Sequence, residues 1–356
     1  MKITIDCRFI NSSGIGVYAK ECLSFMLNSN NQFLLLGRNN ELNLFAEYKN
    51  AEILDCNIRP FSLHETFFFS KTVLNKINNG DIYYSPYFNI PCGIKIPVYT
   101  TIHDIIFPDM PELTSFPGLK IRMFFYRRCF RLSKKIFTVS NFSKSRIEYY
   151  SKGKKPVIVT QNALQSYFLE NNKPEINSAN KDYILFIGNL KKHKGLDCLL
   201  DAFYRAKQDG LKQTLIIIGN LTNLRSKDSA FHNKLSSFKQ NEVIIYDHVS
   251  DNELKKLLTN ASLLVQPSLY EGFGIPPLEA MFMGTMALIS DIPVFREIYG
   301  DFPVVFFKAG DSFDLREKLL FLLLHNKPRK ISLSKELIEK YSYKKTADII
   351  LKEMSN

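Results

Sequence analysis

The chain has 356 residues and a formal net charge of +12, with 45% hydrophobic and 23% charged residues. This composition excludes a disordered chain, and the length suits two domains that each bury a core. No apolar run approaches the roughly 20 residues that a spanning helix needs, and the early charges of residues 1–8 are not typical of a signal peptide.

Short apolar strands alternate with helical patterns in the first half of the chain. The predicted strands are 2–6, 33–36, 82–84, 98–102, 135–139 and 157–160, and the predicted helices are 15–27, 63–77, 116–132 and 142–150. Strands are also expected at 183–187, 214–218, 243–246, 262–265 and 286–289. Strand–helix alternation predicts parallel sheets covered on both faces, and therefore two doubly wound α/β domains in tandem.

The domain boundaries follow from a change in composition. The segment 166–182 is rich in Asn, Lys, Pro, Ser and Glu without an apolar period, which predicts a linker. We therefore expect an N-terminal domain at 1–165, a second domain at 183–332, and a C-terminal helix within 333–356. Whether that helix crosses back to the first domain is left open. Six cysteines without metal or Cys-x-x-Cys spacing indicate reduced, mostly buried thiols in a cytosolic protein.

A basic and aromatic segment spans residues 114–155. It contains twelve Lys or Arg residues and one acid, so it carries +11 of the net charge. An anionic membrane face fits such a surface; nucleic acid, or plain solvation of the cations around a buried aromatic core, are the alternatives. The cations assigned to membrane or acceptor contact are Arg122, Arg127, Arg128, Arg131, Lys134 and Lys135.

The most informative motif is the nonapeptide 271–279, in which Glu271 and Glu279 flank a Gly-Phe-Gly turn and two prolines. The glycines allow a close approach of the backbone to a ligand, and the prolines suit the first turn of a helix. We expect both carboxylates to face one crevice beside a helix N-terminus that favours anions. A polar loop with a helix-start glutamate is the plainer alternative.

Two further loops follow predicted strands and contain glycine. Gly14 and Gly16 follow the first strand, where backbone amides could cradle a phosphate or a sugar; a tight chain connection is the alternative. Gly188 ends the first strand of the second domain, and a basic loop with Lys194 enters the next helix. A lysine there can neutralise a departing diphosphate, or it can simply be solvated.

His103 and Asp104 end the strand 98–102. At the carboxyl tip of a parallel strand, His103 could orient or polarise a sugar hydroxyl, and Asp104 could fix its tautomer or cap the next turn. No Asp-x-Asp pair, Walker loop or His-Glu-x-x-His motif occurs, so no metal or other cofactor is expected.

Together these motifs resemble the retaining family-4 glycosyltransferases of the GT-B type, in which two Rossmann-like domains face a central cleft. The resemblance also covers 101–104, 138–144, 266–268 and Glu297. It is nearest to the bacterial O-antigen and capsule polysaccharide subgroup, which includes mannosyltransferases. Many relatives carry arginine where this chain has Asn189, which makes Lys194 more important here.

The resemblance implies the roles of the site residues. His103, Glu271 and Lys194 would be the catalytic residues. The donor would be bound by Gly14, Gly16, Gly188, Asn189, Lys194, Phe273, Gly274, Ile275 and Glu279. Gly16 would touch the donor phosphate or sugar, Lys194 the diphosphate, Glu271 the sugar hydroxyls and Glu279 the ribose.

The resemblance further implies a metal-independent hexosyltransferase that retains the anomeric configuration. It would use a GDP-, UDP- or dTDP-linked sugar and a lipid-linked bacterial glycan acceptor, and lie in the cytoplasm against the inner face of the cell membrane. Nucleic acid is not an expected partner. The alternatives are a sugar epimerase or a glucan synthase-like enzyme on the same architecture, or a non-catalytic protein that binds nucleotides or nucleic acid.

Overall fold

The computed structural model describes residues 1–170, 183–219, 234–325 and 330–356. The chain forms two compact units, one of Met1–Gln165 with Tyr341–Asn356 and the other of Ser166–Lys340. Each unit is built on one sheet whose paired strands are parallel. The predicted α/β class with two doubly wound sheets is therefore confirmed.

In its described residues, the first unit has a seven-stranded sheet of order β3-β2-β1-β4-β5-β6-β7. The strands are β1 (Lys2–Asp6), β2 (Gln32–Gly37), β3 (Ala51–Asp55), β4 (Ile82–Ser85), β5 (Val98–Thr101), β6 (Ser133–Thr138) and β7 (Val157–Val159). In the parallel register, Ile3 of β1 lies opposite both Phe33 and Ile82. The strand order reverses between β1 and β4, which is where such sheets bind ligands.

Helices cover this sheet. They are α1 (Ser13–Met26), α2 (Asn39–Leu42), α3 (Leu63–Phe67), α4 (Lys71–Asn78), α5 (Ile106–Asp109), α6 (Phe116–Leu132) and α7 (Asn141–Ser151), with 3-10 turns at Asn43–Phe45 and Pro111–Leu113. In α6, Ser115 Oγ accepts the N–H of Gly118 at the start. Tyr126, Cys129 and Phe130 are buried at i, i+3 and i+4, so one face of the helix packs on the core.

The second unit has six strands in its described part, in the order β10-β9-β8-β11-β12-β13. They are β8 (Tyr183–Ile187), β9 (Thr214–Ile218), β10 (Val243–Tyr246), β11 (Leu263–Gln266), β12 (Ala287–Ser290) and β13 (Val305–Phe307). The order reverses between β8 and β11, so the loops that leave the carboxyl ends of these two strands are neighbours.

Helices also lie between the strands of the second unit. The helices are α8 (Ser166–Leu169), α9 (Leu196–Gln208), α10 (Asp251–Asn260), α11 (Pro276–Phe282), α12 (Pro293–Tyr299), α13 (Ser312–Leu320) and α14 (Lys335–Lys340), with a 3-10 turn at Lys192–Lys194 and a π-helical turn at Phe321–His325. None of the helices in the described part of the chain has the length and apolarity needed to cross a lipid bilayer.

One predicted helix and the predicted linker differ from the structure. The predicted helix 63–77 is two helices, α3 and α4, because Phe69 between them turns into the core. The predicted linker 166–182 begins with α8, which belongs to the second unit, and its residues 171–182 lie outside the described part.

The predicted C-terminal helix is also divided. The structure has α14 and then α15 (Tyr343–Ser355), with Ser342 in extended conformation between them. The reason is that α14 belongs to the second unit, whereas α15 buries Tyr343, Ala347, Ile350 and Met354 in the first unit. Thr346 Oγ1 donates to the Thr160 carbonyl at 2.6 Å, which ties α15 to the end of β7.

Candidate functional site

The loop after β8 and the loop after β11 are locked together in the second unit. Gly195 has a φ of +70°, and a Cβ there would lie 1.9 Å from the Pro267 carbonyl oxygen. Only glycine fits this contact. The Leu269 N–H also donates to the His193 carbonyl at 2.7 Å. The basic loop and the start of the nonapeptide are therefore positioned by one another.

Lys194 and Glu271, two of the predicted catalytic residues, form an ion pair. The Lys194 Nζ lies 2.6 Å from Oε1 and 2.8 Å from Oε2 of Glu271. Ser268 Oγ donates to Oε1 at 2.7 Å and in turn accepts from Gln266 Nε2 at 3.0 Å. The Glu271 side chain is 9% exposed and the Lys194 side chain 19%, so the pair is mostly buried but can still be reached from solvent. A ligand arriving here meets a fixed, nearly neutral pair of donor and acceptor.

The remainder of the nonapeptide is rigid. Gly274 has a φ of +85°, and a Cβ there would lie 2.4 Å from the Phe295 ring; its carbonyl accepts from the Tyr299 hydroxyl. Phe273 is buried, so its backbone is what a ligand could reach. Ile275 is the N-cap of α11, and both prolines occupy the first turn, as the sequence predicts. Gly284 follows the C-cap of α11 with a φ of +87°.

Glu279 lies in the first turn of α11 and is 5% exposed. Its depth means that a ligand can reach at most a small part of the carboxylate. Whether it shares a crevice with Glu271, as the sequence predicts, stays a prediction.

The glycines of the predicted donor site fall into two groups. A Cβ at Gly16 would lie 2.4 Å from the Ile10 carbonyl oxygen, so the tight turn after β1 alone requires glycine there. By contrast, a Cβ at Gly14 would have no heavy atom of the described residues within 4 Å, and one at Gly188 would make ordinary contacts with Phe186 and Lys194. Asn189 accepts the Lys191 N–H on its carbonyl. Packing against the described residues gives Gly14 and Gly188 no steric reason to be glycine.

His103 follows β5 in the first unit and is held on both sides. Its Nε2 lies 3.0 Å from the Pro86 carbonyl oxygen, and its ring meets Tyr18 edge-on with centroids 4.8 Å apart. Because a carbonyl only accepts, Nε2 carries the hydrogen and Nδ1 keeps a lone pair in the neutral ring. Burial lowers the pKa of His103 to about 4, so the imidazole is neutral near pH 7.

The segment 138–144 supports His103 from behind. Ser143 Oγ donates to the His103 carbonyl at 3.1 Å, and Thr138 Oγ1 donates to the Ile102 carbonyl at 2.7 Å. Asp104 Oδ1 accepts the Ile106 N–H at 3.1 Å, which is the turn-capping role considered for it. The Ser-Asn-Phe-Ser-Lys motif therefore fixes the backbone on which His103 sits.

Sequence reasoning missed several polar residues. Burial, and then the neighbouring Lys194, lower the pKa of His193 to about 4. In the first unit, Arg8 Nη2 lies 2.5 Å from both Asp6 Oδ2 and Glu65 Oε1, and all three side chains are at most 3% exposed. The available signal in the sequence was the charged pair Asp6 and Arg8 at the end of an otherwise apolar first strand. Glu65 could not be predicted as their partner, because it lies 57 residues from Arg8 in the chain.

The six cations predicted to contact a membrane or acceptor fall into two groups of three, one with partners inside the protein and one exposed to solvent. Arg122 donates to Thr114 and Gly118, Arg128 donates to the Ile90 carbonyl, and Lys135 pairs with Glu353 at 2.8 Å. These three have internal partners, and their contact with a membrane or acceptor stays a prediction.

Arg127, Arg131 and Lys134 are exposed. Together with neighbours on α6 they form what we call the α6 surface, which consists of Phe116, Lys120, Ile121, Phe124, Arg127, Arg131 and Lys134. Phe116 is 70% exposed and Phe124 is 49% exposed, so aromatic rings and cations share this face.

The described residues contain no cluster of three or more His, Cys, Asp or Glu side chains arranged to hold a metal ion. All six cysteines are described and none forms a disulfide; four are buried.

A family model matches part of the chain. Residues 169–341 match the family of glycosyl transferases group 1. The match includes the sheet of the second unit and the loops that hold Lys194 and Glu271.

Two curated relatives are similar over a longer stretch. O-antigen chain mannosyltransferase B of Escherichia coli is 26% identical over 228 residues, which are 62% of this chain and 59% of the relative. O-antigen chain mannosyltransferase RfbU of Salmonella typhimurium is 28% identical over 240 residues, or 65% and 62%. The chain thus spans about six-tenths of the length of these relatives.

Solved structures share the fold over the whole chain. Anabaena Alr3699/HepE in complex with UDP-glucose has a TM-score of 0.75 at 16% identity, covering 100% of this chain and 99% of that chain. The apo form of the lipopolysaccharide outer core galactosyltransferase WaaB has a TM-score of 0.65 at 16% identity, covering 99% of each. The GT-B fold is therefore shown.

Proposed function

We propose that the protein is a retaining glycosyltransferase that moves a hexose from a nucleotide diphosphate sugar to a lipid-linked bacterial surface glycan. The observation that carries this proposal is the Lys194–Glu271 pair at the strand-order reversal of a glycosyltransferase group 1 domain. The names of the two curated relatives make mannose the first sugar to test.

The second unit binds the donor in this proposal. Lys194 and the amides near Gly188 meet the diphosphate, Glu271 accepts sugar hydroxyls, and Glu279 meets the ribose. A Cβ at Gly188 would make only ordinary contacts, so packing against the described residues does not require glycine there, which supports a close approach of a ligand to the backbone. Pairing with Glu271 leaves Lys194 fixed in place, so little reorganisation precedes the reaction.

The chemical step exchanges one bond at the anomeric carbon for another. The bond to the diphosphate oxygen breaks, the bond to the acceptor hydroxyl oxygen forms on the same face, and the hydroxyl proton passes to the departing phosphate. Negative charge grows on that phosphate as the sugar becomes oxocarbenium-like. Lys194 stabilises this charge, and such stabilisation is usually the largest catalytic contribution.

His103 acts as a neutral group. The Pro86 carbonyl holds Nε2–H, so Nδ1 is the atom left to accept a hydrogen bond from a sugar hydroxyl. A neutral imidazole orients the sugar without repelling the developing positive charge at its reacting carbon.

The first unit binds the acceptor, and the α6 surface contacts an anionic membrane. Its exposed rings enter the interfacial region while Lys120, Arg127 and Arg131 meet lipid phosphates, at about 1 kcal/mol each. This places the protein in the cytoplasm against the inner face of the cell membrane. We further propose that no metal takes part, since lysine, amides and helix ends can meet the diphosphate charge.

Isothermal titration calorimetry with UDP-, GDP- and dTDP-sugars, followed by transfer to a lipid-linked acceptor, tests the proposal. We expect one nucleotide sugar to bind, and the product to keep the donor's anomeric configuration by NMR. Incubation with donor alone tests the epimerase alternative, because an epimerase would change the sugar without an acceptor. A chain that binds no nucleotide sugar would contradict the proposed function.

A further inference from the structure

A cavity of about 420 Å³ lies in the first unit, at the carboxyl ends of β1, β2 and β3. Its walls come from the three loops that leave these strands. The lining residues used below are Arg8, Phe9, Arg38, Arg59 and Phe61. The volume falls within the usual range for small-molecule sites, and the carboxyl edge is where parallel sheets bind ligands.

Two cations of the cavity wall are available to a ligand. The Arg38 side chain is 55% exposed, and its nearest anion is Glu41 at 3.5 Å. Arg59 is exposed, and its guanidinium has no hydrogen bond or ion pair with any residue that the structure describes. Arg8 is different, because Asp6 and Glu65 already hold its guanidinium. The cavity therefore offers two guanidinium groups, which favour phosphate or carboxylate.

Aromatic rings form another part of the wall. Phe9 and Phe61 are both partly exposed, with centroids 6.0 Å apart. Phe61 also packs on Phe88 at 4.9 Å and on Phe125 at 4.8 Å, so its position is fixed from behind. Flat apolar faces beside guanidinium groups suit the C–H face of a sugar or the first carbons of a lipid.

The backbone of Phe61 is strained, and a buried network holds it. Its φ is +59°, in the left-handed region that a bulky residue rarely adopts. The Phe61 N–H donates to Glu65 Oε2, while Glu65 Oε1 accepts from Arg8 and from Asn89 at 3.0 Å. The buried Asp6–Arg8–Glu65 cluster thus fixes the loop that presents Arg59 and Phe61 to the cavity.

We propose that this cavity binds an anionic group of the glycan acceptor, with Arg38 and Arg59 on the anion and Phe9 and Phe61 on the adjoining apolar face. The inference rests on the proposed function, since it names the chemistry of that reaction's acceptor. Two sources share this chemistry: a sugar that carries a carboxylate, and the diphosphate of a lipid carrier.

Calorimetry on the full chain, saturated with the nucleotide found to bind, tests the proposal with three probes. They are glucuronic acid, farnesyl diphosphate and neutral methyl glucoside. We expect at least one anionic probe to bind, and the Arg38→Ala/Arg59→Ala double variant to lose at least about tenfold in affinity for it. Binding of glucuronic acid indicates an acidic sugar, and binding of farnesyl diphosphate indicates a lipid carrier.

Lys49→Ala is the matched control, because Lys49 is exposed and precedes β3 at the opposite, amino end of that strand. It should bind the probes as wild type does. Equal probe affinity in the double variant, a preference for methyl glucoside, or no binding of either anionic probe would overturn the inference. Nucleotide binding separates the two proposals: if the wild-type chain binds a nucleotide sugar but neither anionic probe, only the cavity assignment falls.

Discussion

The Lys194 ammonium lies within 2.8 Å of both carboxylate oxygens of Glu271, although 77 residues separate them in the chain. Each residue was expected to contact a different part of the donor. In the structure each also limits the other: the carboxylate reduces the attraction of Lys194 for phosphate, and the ammonium holds the carboxylate in place.

Replacing Glu271 with glutamine removes the negative charge and keeps an oxygen acceptor. We expect affinity for the free nucleoside diphosphate to rise several-fold, since Lys194 is no longer neutralised, while transfer falls by about 100-fold. Calorimetry and a transfer assay measure the two effects. Asp251→Asn, at an exposed acid of α10, is the control and should change neither. Weaker nucleotide binding in Glu271→Gln would contradict this account of the pair.

Removing Lys194 leaves an unpaired carboxylate that is 9% exposed. Lys194→Ala should therefore lower the free energy of unfolding by about 1–3 kcal/mol and largely abolish transfer. Lys194→Arg keeps the charge and should recover most of the stability. Urea unfolding monitored by circular dichroism measures the free energy of unfolding, and initial rates measure the transfer activity. A stable Lys194→Ala variant with full activity would remove Lys194 from the mechanism.

Gly14 and Gly16 should respond in opposite ways to alanine. Gly14→Ala adds a methyl group to open space in the first turn of α1, so stability should be unchanged or rise by about 0.5–1 kcal/mol. Gly16→Ala meets the Ile10 carbonyl and should cost about 1–3 kcal/mol. If a ligand approaches Gly14, the stable Gly14→Ala variant still loses donor affinity. Unchanged donor affinity would leave Gly14 without a binding role.

The two histidines with lowered pKa give a pH prediction. Both His103 and His193 have a pKa of about 4 in the folded chain, below the 6.5 of a free imidazole. Between pH 4 and pH 6.5 the unfolded chain binds more protons than the folded chain. The contribution of these two histidines to the free energy of unfolding is therefore fully present above pH 6.5 and is lost as the pH falls towards 4. Histidine ring signals in NMR titrations should show two groups that stay neutral at pH 5.5. His103→Gln keeps a hydrogen-bond donor for the Pro86 carbonyl and should flatten the pH dependence of the free energy of unfolding. A pKa near 6.5 for His103 in the wild-type chain would contradict the prediction.

The α6 surface predicts salt-sensitive binding to anionic vesicles. Phe116→Ser with Phe124→Ser should weaken sedimentation with phosphatidylglycerol vesicles, and Arg127→Ala with Arg131→Ala should weaken it further at low salt. Leu44→Ser, at another exposed apolar residue of the first unit, is the control. Binding that ignores both lipid charge and salt would argue against membrane contact through this surface.

Much of the fold follows from local patterns. The bounds predicted for β8, β9 and β10 equal those in the structure, because each strand is a short, mostly apolar run. The edge strands β3 and β13 were not predicted. Glu52 and Asp55 make β3 look polar, and only its neighbour β2 draws it into the sheet.

The site was predictable in its parts and not in its pairings. Loop glycines and charged residues after strands pointed to Lys194, Glu271 and His103. The Lys194–Glu271 pair and the Arg8–Glu65 contact depend on which loops become neighbours, and that is set by strand order. Strand order is a tertiary property that no local window contains.

The helix α15 has a consequence for how the protein is made. Thr346 donates to the Thr160 carbonyl across 186 residues of chain, and Lys135 pairs with Glu353. At about 5–20 residues per second, a ribosome takes roughly ten to forty seconds to travel from one side of that contact to the other. During this interval the nascent first sheet is complete, while the face of α1 that packs on α15 and the Tyr99 hydroxyl that donates to the Met354 carbonyl lack their partners. Chaperones should therefore be needed most during that period. For a chain that lacks residues 341–356, adding these residues as a separate peptide should speed folding of the first unit.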